Sequence, residues 1–286
     1  GNLLPAGAAS DADHSAAVSL IDLEKGAVVA NVKLHSGATA VRGVAVSEDG
    51  KWAYAVHVLG RTGSLARNPG WIVDNALGII NLESRLLHAT VLLSDDVAGA
   101  PEPWGVAISS GGRHLWVTAS GSHEILRLEL DRLHRMLEGD VPVELVSSRS
   151  QPIDLNNAWT FVRRDPARRT ELAKDRQALT RAGIVHRSPL PVKGPRGLAL
   201  SPDGKLLCAV GYFSGDIALL SAEGETLGRI VLDPRPRPST AWLGEALFHD
   251  ATISLQRRVS CATCHPDNGR TDALRWDLPN DRLGTP

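Results

Sequence analysis

Three stretches of the chain repeat one pattern of hydrophobic and polar positions. Each begins with a glycine and an apolar run, passes through a short polar segment and continues into a second apolar run. This pattern predicts two β-strands joined in a hairpin. Glycine at the turn supplies the positive φ angle that a tight hairpin requires. The repeats occupy residues 43–56, 105–118 and 197–210, and their turns contain Asp49-Gly50, Gly111-Gly112 and Asp203-Gly204.

A second hairpin pattern accompanies these repeats. Apolar segments separated by short polar turns lie at residues 18–34, 77–92 and 216–232. Two successive hairpins form a four-stranded antiparallel sheet, which is the blade of a β-propeller. The sequence therefore predicts a mainly β fold, a partial β-propeller of about three and a half blades. Half a blade precedes residue 40, and the blades lie near residues 42–92, 104–149 and 196–232.

Two segments interrupt this succession of strands. Residues 57–75 contain Gly, Pro and Asn and are predicted to form a long loop within one blade. Residues 150–195 are predicted to form an insertion with a helix from Pro166 to Ala182. Basic residues outnumber acidic ones there, so the helix is either a solvated face or a surface for an acidic partner. The basic residues are Arg168, Arg169, Lys174, Arg176 and Arg181.

Alternating prolines mark the end of the propeller. The segment 233–239 cannot continue a strand ladder or a helix, so it is predicted to be a stiff linker. Residues 240–248 then place apolar side chains at helical spacing behind a Ser239 or Thr240 cap. We therefore divide the chain into a propeller domain at 1–232, the linker, and the start of an α-helical domain at 240–286.

The composition is that of a globular protein. Hydrophobic residues make up 43% and charged residues 22%, and the 27 Gly and 17 Pro suit many tight turns. The net charge of −1 gives no reason to expect a nucleic-acid partner, and no apolar run is long enough to span a membrane. The chain starts at Gly1, and three and a half blades would leave a sheet edge exposed. We therefore expect a fragment of a longer protein.

The residues with the clearest chemistry lie in the second domain. Cys261 and Cys264 are three positions apart, and His265 follows directly. One helical turn brings positions i and i+3 to the same side, so both sulfurs can bond to the two vinyl groups of one haem. His265 is then placed to bind the iron as its proximal ligand. The motif predicts a covalently attached c-type haem and hence redox chemistry.

Two other uses of these cysteines remain open at this point. A redox-active dithiol has the same spacing, although it needs a preceding strand of a βαβ unit rather than a Pro-rich linker. A zinc site needs a fourth ligand, and only His249 lies near in the sequence. The third cysteine, Cys208, lies in an apolar run and is predicted to be a small buried hydrophobic residue.

The repeats resemble those of propeller proteins with YVTN-type repeats. The Ser-Pro-Asp-Gly-Lys turn of that family is present whole at residues 201–205. The resemblance covers residues 16–232 and implies a fold rather than an activity, because propellers support many functions.

The second domain resembles the start of the di-haem cytochrome c peroxidase family, which includes the MauG-like enzymes. The similarity covers residues 240–286 and implies that Cys261 and Cys264 bind the haem covalently and that His265 binds its iron. The family's second haem and catalytic acid would lie beyond residue 286. His249 departs from the family pattern and is expected to be solvated or capping, with an extra polar contact or metal ligation as alternatives. The residues that carry the resemblance are Leu243-Gly244, Leu247-Phe248, Asp250, Ile253-Ser254 and 259–265.

The resemblance implies a peroxidase-type oxidoreductase with haem c as its cofactor and a redox protein as its partner. The propeller is expected to dock a partner protein or to organise the haem domain. The alternatives are a plain electron-transfer cytochrome, and a propeller binding module with an accessory haem domain. Because haem c is attached outside the bacterial cytoplasm, we expect a periplasmic location.

Some other residues have side chains that could reach a haem or a metal. Met136, the only methionine, is not expected to be a haem ligand because it lies on a charged segment of the propeller. Three residues near the end of the chain would contact the haem or serve packing and surface roles: Arg270, Arg275 and Trp276. Three others are expected at strand ends as surface histidines: His57, His114 and His123.

Overall fold

The computed structural model describes residues 15–60, 73–147, 157–232 and 238–266. Within these ranges, fourteen strands form four antiparallel sheets. A two-stranded half-blade contains β1 (Ala17–Asp22) and β2 (Ala27–Lys33). Blade 1 contains β3 (Ala38–Val46), β4 (Trp52–Gly60), β5 (Val73–Asn81) and β6 (Leu86–Leu92). Blade 2 contains β7 (Pro103–Ile108), β8 (His114–Ala119), β9 (Glu124–Glu129) and β10 (Val185–Pro189). Blade 3 contains β11 (Pro195–Leu200), β12 (Leu206–Gly211), β13 (Asp216–Ser221) and β14 (Thr226–Val231).

The blades are arranged as in a propeller. In each blade the strands pair in sequence order, and the first strand β7 of blade 2 contacts β3 on one side and β11 on the other. The first strands therefore lie together at the centre, which is the arrangement of propeller blades around their axis. The prediction of a mainly β fold with a partial propeller is confirmed.

The hairpin turns form because serine and aspartate side chains replace backbone hydrogen bonds there. In blade 1, the Ser47 hydroxyl donates to Asp49 Oδ1 at 2.6 Å and accepts the N–H of Trp52 at 2.9 Å. Blade 3 repeats the first contact, since Ser201 donates to Asp203 at 2.6 Å. The same hydroxyls hold the pKa of both aspartates below the ordinary value. These local bonds explain why the turns could be found from the sequence.

Glycines at the start of the repeated pattern allow the inner strands to approach closely. A Cβ atom on Gly43 would lie 2.2 Å from the carbonyl oxygen of Trp104 in the next blade. A Cβ atom on Gly105 would lie 2.5 Å from the carbonyl oxygen of Arg196. At the third equivalent, Gly197, the Val210 side chain at 3.4 Å is the only neighbour within 4 Å among the described residues. The first two glycines are therefore required by packing between blades.

Apolar faces of neighbouring blades form the core. Leu77 and Ile79 of blade 1 are fully buried against Leu115 and Leu126 of blade 2. A separate cluster joins blades 2 and 3 through Trp116, Ile125, Leu207 and Leu220. Burying a leucine or isoleucine side chain contributes about 2 kcal/mol, so these layers are the main source of stability.

Blade 2 differs from its prediction. Its fourth strand is β10 (Val185–Pro189), which pairs with β9 after an excursion of the chain, so the predicted blade limits of 104–149 are wrong. The predicted loop at 57–75 is too long, because β4 continues to Gly60 and β5 starts at Val73. Residues 61–72 lie outside the described ranges.

The excursion is a layer of short helices. It contains α1 (Leu130–Leu137), α2 (Val143–Val146), α3 (Ala158–Arg164), a 3-10 segment (Pro166–Lys174) and α4 (Ala178–Arg181). The predicted single helix from Pro166 to Ala182 is therefore wrong. The Asp175 carboxylate accepts the N–H groups of Ala158 at 2.8 Å and Gln177 at 2.9 Å, and this holds the chain extended between the 3-10 segment and α4.

The basic residues of the excursion bind within the protein. Arg176 pairs with the buried Asp74 of β5 at 2.7 Å, and Arg169 donates to the carbonyl oxygen of His88 in β6 at 2.9 Å. Arg181 pairs with Asp175 at 3.1 Å. The remaining two, Arg168 and Lys174, both pair with Glu171. These residues attach the layer to blade 1 and to itself instead of forming only a solvated face.

Within residues 238–266, two further helices follow the propeller. They are α5 (Thr240–His249) and α6 (Cys261–Cys264), with a 3-10 turn at Leu255–Arg257 between them. None of the helices in the described ranges combines the length and the apolar content needed to cross a membrane.

Candidate haem-attachment site

The Cys-x-x-Cys-His motif forms the short helix α6 and the residue that follows it. The backbone N–H of Ser260 donates to Thr263 Oγ1 at 2.9 Å, and the N–H of His265 donates to the Cys261 carbonyl oxygen at 3.0 Å. These bonds close one helical turn, as the spacing of the motif predicts.

The two faces of this turn have different surroundings. Ala262 and Thr263 are buried, and Ala262 lines a small cleft with Arg42 and Glu102 of the propeller. Cys261 and His265 are exposed, and Cys264 is half-buried. Neither cysteine of the motif forms a disulfide. The side chains that would hold a haem are therefore the accessible ones, while the rest of the turn faces the propeller.

Exposed apolar side chains lie on the elements next to α6. Leu243 and Leu247 are one turn apart on α5 and are 49% and 57% exposed. Ile253 and Leu255, in the connection between α5 and α6, are 71% and 86% exposed. Large apolar residues at such exposure are suited to covering a large apolar cofactor. The residues present therefore fit a haem at this turn.

The opposite side of α5 packs on the propeller through aromatic rings. Ser239 caps the helix by accepting the N–H of Trp242 at 3.2 Å. The Trp242 ring lies 5.4 Å from Tyr212 and 5.7 Å from Phe213, measured between ring centroids, and both rings belong to the β12–β13 turn. These tilted and edge-on ring pairs each contribute about 1 kcal/mol beyond the area they bury.

A stack of arginines and aromatic rings continues from these rings towards the propeller centre. The Arg196 guanidinium carbon lies 4.1 Å from the ring centroids of both Tyr212 and Trp104. Arg42 also lies over the Trp104 ring, 4.6 Å from its centroid. The stack joins the inner strands of all three blades to α5, so the position of this helix depends on the propeller centre.

His249 ends α5 and is buried, so the expectation that it is solvated is wrong. Its Nδ1 donates to Oε2 of Glu102 at 2.7 Å. The other carboxylate oxygen of Glu102 accepts the hydroxyl of Ser260, which directly precedes Cys261. Of the roles considered for His249, the extra polar contact is the one found. Glu102 itself is a site residue that the sequence analysis missed, because its partners lie far away in the chain.

Backbone contacts fix the connection between α5 and α6. The N–H of Ala251 donates to the carbonyl oxygen of Gly121 at 2.9 Å, and that of Gly99 donates to Gln256 at 2.8 Å. Arg257 pairs with Glu124 at 3.0 Å. The segment that precedes the motif is thus bound at several points to blade 2 and to the connection between blades 1 and 2.

Replacing Gly99 by alanine is expected to loosen this attachment. The new Cβ would lie 2.4 Å from Arg258 Cα and 2.6 Å from the Arg257 carbonyl oxygen, and neither backbone atom can move without shifting the segment. We expect the docking free energy to fall by about 2 kcal/mol, which faster tryptic cleavage at residues 257–258 would report. Gly228→Ala is the control, because no atom of the described residues lies within 4 Å of its Cβ position. Equal cleavage rates in both variants would contradict the prediction.

The other candidate residues do not gather into one site. His57 is buried inside β4 rather than exposed at a strand end, and Met136 is buried in α1. His114 pairs with Glu129 at 3.2 Å, and His123 Nδ1 accepts the N–H of Gly194 at 3.1 Å. Cys208 is only partly buried. The candidates at 270, 275 and 276 lie outside the described ranges.

The fold and this turn define a class of protein, a partial β-propeller followed by a helical segment with a Cys-x-x-Cys-His turn. Residues 238–282 match the family described as di-haem cytochrome c peroxidase. This similarity supports a haem redox protein.

Two curated relatives and a solved structure are similar to parts of this chain. Subunit beta of hydrazine synthase from Kuenenia stuttgartiensis is 25% identical over 206 residues, which are 71% of this chain and 46% of that subunit. Subunit gamma of the same enzyme is 45% identical over 42 residues, which are 15% of this chain and 12% of that subunit. The chain thus spans less than half the length of either relative. The solved Kuenenia stuttgartiensis hydrazine synthase superposes with a TM-score of 0.52 at 22% identity, covering 72% of this chain and 51% of the other.

Proposed function

We propose that this chain belongs to a c-type haem oxidoreductase of the peroxidase type. Cys261 and Cys264 hold the haem through thioether bonds, and His265 binds its iron as the proximal ligand. The observation that carries the proposal is the orientation of α6, which leaves Cys261 and His265 exposed and Cys264 half-buried while Ala262 and Thr263 face the propeller. The match of residues 238–282 to the di-haem cytochrome c peroxidase family supports it.

The roles of the residues follow from their surroundings. The haem would supply an iron that changes its oxidation state and can react with peroxide. Leu243 and Leu247 would cover its apolar surface and exclude water from that side. Thr263 and Ser260 hold the attachment turn closed, so both sulfurs stay on one side of it. The similarity to two subunits of one enzyme supports joint action of the propeller and the haem segment.

The domain organisation, cell location and partner are part of the same proposal. The propeller ends at residue 232, and the haem domain begins at residue 240. Haem c attachment places the protein in the bacterial periplasm. A redox protein exchanges electrons with the haem and docks on the propeller.

Haem staining after denaturing electrophoresis tests the attachment. The full-length protein, matured in a periplasm that contains the haem c attachment machinery, is expected to keep its stain. The double variant Cys261→Ala/Cys264→Ala should lose it completely, because no thioether bond can form. Cys208→Ala is the matched control and should stain like the wild type. A wild-type protein without stain would overturn the proposal, since the motif would then serve a dithiol or a metal.

Hydrogen peroxide distinguishes the peroxidase from an electron-transfer cytochrome. We expect peroxide to oxidise the reduced haem of the full-length protein, as visible absorption would show. A stained protein whose reduced spectrum does not respond to peroxide would be an electron-transfer protein instead.

A further inference from the structure

Glu102 has an unusual backbone conformation for its residue type. It directly precedes β7, with φ at 52°, in the left-handed region that non-glycine residues seldom adopt. Its carbonyl oxygen accepts the N–H of Ser120 at 3.0 Å, which fixes this conformation. Only 7% of the residue is exposed. A strained and buried carboxylate persists only where its surroundings hold it firmly.

The Glu102 carboxylate joins three parts of the protein. One oxygen accepts a hydrogen bond of 2.7 Å from the Nδ1–H of His249, which ends α5. The other oxygen accepts a hydrogen bond from the hydroxyl of Ser260, which directly precedes α6. Both bonds involve a charged acceptor and are therefore stronger than bonds between neutral groups. Burial lowers the pKa of the nearby Arg196, and the charge of Glu102 opposes that shift. The negative charge of the Glu102 carboxylate is thus compensated by the nearby guanidinium of Arg196 in the propeller.

These contacts act on the residue next to the first haem cysteine. Ser260 precedes Cys261, and its backbone N–H bonds to Thr263 inside the attachment turn. Movement of Ser260 therefore moves the turn that orients both sulfurs and His265. His249 is held by the same carboxylate, so α5 and α6 cannot shift independently of each other.

We propose that Glu102 is a positioning residue of the haem site, through which the propeller fixes the attachment turn by binding Ser260 and His249. This inference rests on the proposed function for its consequences at the haem. The contact itself is independent of haem and can be tested with or without it. The propeller then takes part in setting the haem's orientation and ligand field, in addition to any docking of a partner.

The test uses the full-length protein with Glu102→Asn, because asparagine tolerates the left-handed backbone but its side chain is too short to keep both bonds. We expect amide hydrogen exchange in residues 258–266 to become about tenfold faster, since two charge-assisted bonds are lost. The haem's midpoint potential should shift, and its visible spectrum should show more than one ligation state. Asp216→Asn, which also removes a buried carboxylate of the propeller, should change none of these quantities in this segment.

Variants of Ser260 show whether Glu102 acts through this residue. Ser260→Ala should reproduce the faster exchange and the shifted potential, whereas Ser260→Thr keeps the hydroxyl and should restore the wild-type values. Combining Ser260→Ala with Glu102→Asn should add little to Glu102→Asn alone, because that variant has already lost the bond to Ser260.

The possible failures of this proposal and of the proposed function are distinct. A stained Glu102→Asn protein with wild-type exchange and potential would overturn the positioning role and leave the haem attachment intact. Fully additive effects of the two substitutions would also overturn it. A wild-type protein without haem would overturn the proposed function, and the exchange measurement on the same protein would still decide whether Glu102 holds the turn. If Glu102→Asn does not fold, Ser260→Ala and Ser260→Thr decide it.

Discussion

Replacing Gly43 by alanine is expected to lower the free energy of unfolding by about 3 kcal/mol. The added Cβ would lie 2.2 Å from the Trp104 carbonyl oxygen and 2.9 Å from the Val106 side chain. The carbonyl belongs to the inner strand of blade 2, so relief of the clash requires the two blades to move apart. Denaturant titration followed by tryptophan fluorescence measures the loss.

The chain supplies its own matched control for this prediction. Gly197 occupies the same position of the repeat in blade 3, where its Cβ would meet only Val210 at 3.4 Å. Gly197→Ala should therefore change the free energy of unfolding by less than about 1 kcal/mol. Gly105→Ala should behave like Gly43→Ala. If the substitutions at 43 and 197 cost the same, the packing argument fails and only the general backbone effect of glycine remains.

Acid is expected to destabilise the protein through His57. Burial lowers the pKa of this histidine from 6.5 to about 4. Its Nδ1 bonds to the Val58 carbonyl oxygen at 3.0 Å, and its Nε2 has no hydrogen-bond partner among the residues that the structure describes. The unfolded chain therefore binds this proton more tightly than the folded protein. The stability contributed by neutral His57 is complete above pH 6.5 and decreases as the pH falls towards 4. The total loss should be about 3 kcal/mol, at about 1.4 kcal/mol per pH unit.

A variant without a titratable group isolates this effect. Asparagine at position 57 can still donate to Val58 but does not titrate, so His57→Asn should show a shallower fall in unfolding free energy between pH 6.5 and 4. Some pH dependence should remain, because burial also lowers the pKa of His88 and His134. His186→Gln, at an exposed histidine, is the control and should titrate like the wild type. Parallel curves for His57→Asn and the wild type would exclude His57 as the source.

Features that depend on neighbours in sequence were predictable. The turns at Asp49-Gly50 and Asp203-Gly204 are held by side-chain bonds within a few residues, so their chemistry is visible in the local sequence. The attachment turn is likewise local, since Ser260, Thr263 and His265 bond within one helical turn. Strand pairs joined by such turns were therefore correctly placed, and so was the helix at residues 240–248, which the structure has as α5 (Thr240–His249).

Features that depend on distant partners were not predictable. The pattern of residues 166–182 does not reveal that Asp175 accepts the N–H of Ala158 from an earlier helix, and this contact replaces a continuous helix by two short ones. Similarly, His249 acquires its role from Glu102, which is 147 positions away. Nothing in the residues around His249 distinguishes such a buried pair from a solvated side chain.

The excursion in blade 2 leaves and returns at one point of the sheet. The N–H of Glu129 donates to the carbonyl oxygen of Ile184 at 3.0 Å, so the residues that flank the excursion share one hydrogen bond. Its size therefore does not affect the spacing of β9 and β10, which pair without interruption from Leu128–Val185 to Glu124–Pro189. The entropic cost of closing a loop rises with the length of the loop. Blade 2 should therefore complete its sheet after blade 3 during folding. The helical layer of blade 2 contacts blade 1 through its arginines. Blade 2 must therefore close before this layer can cover blade 1.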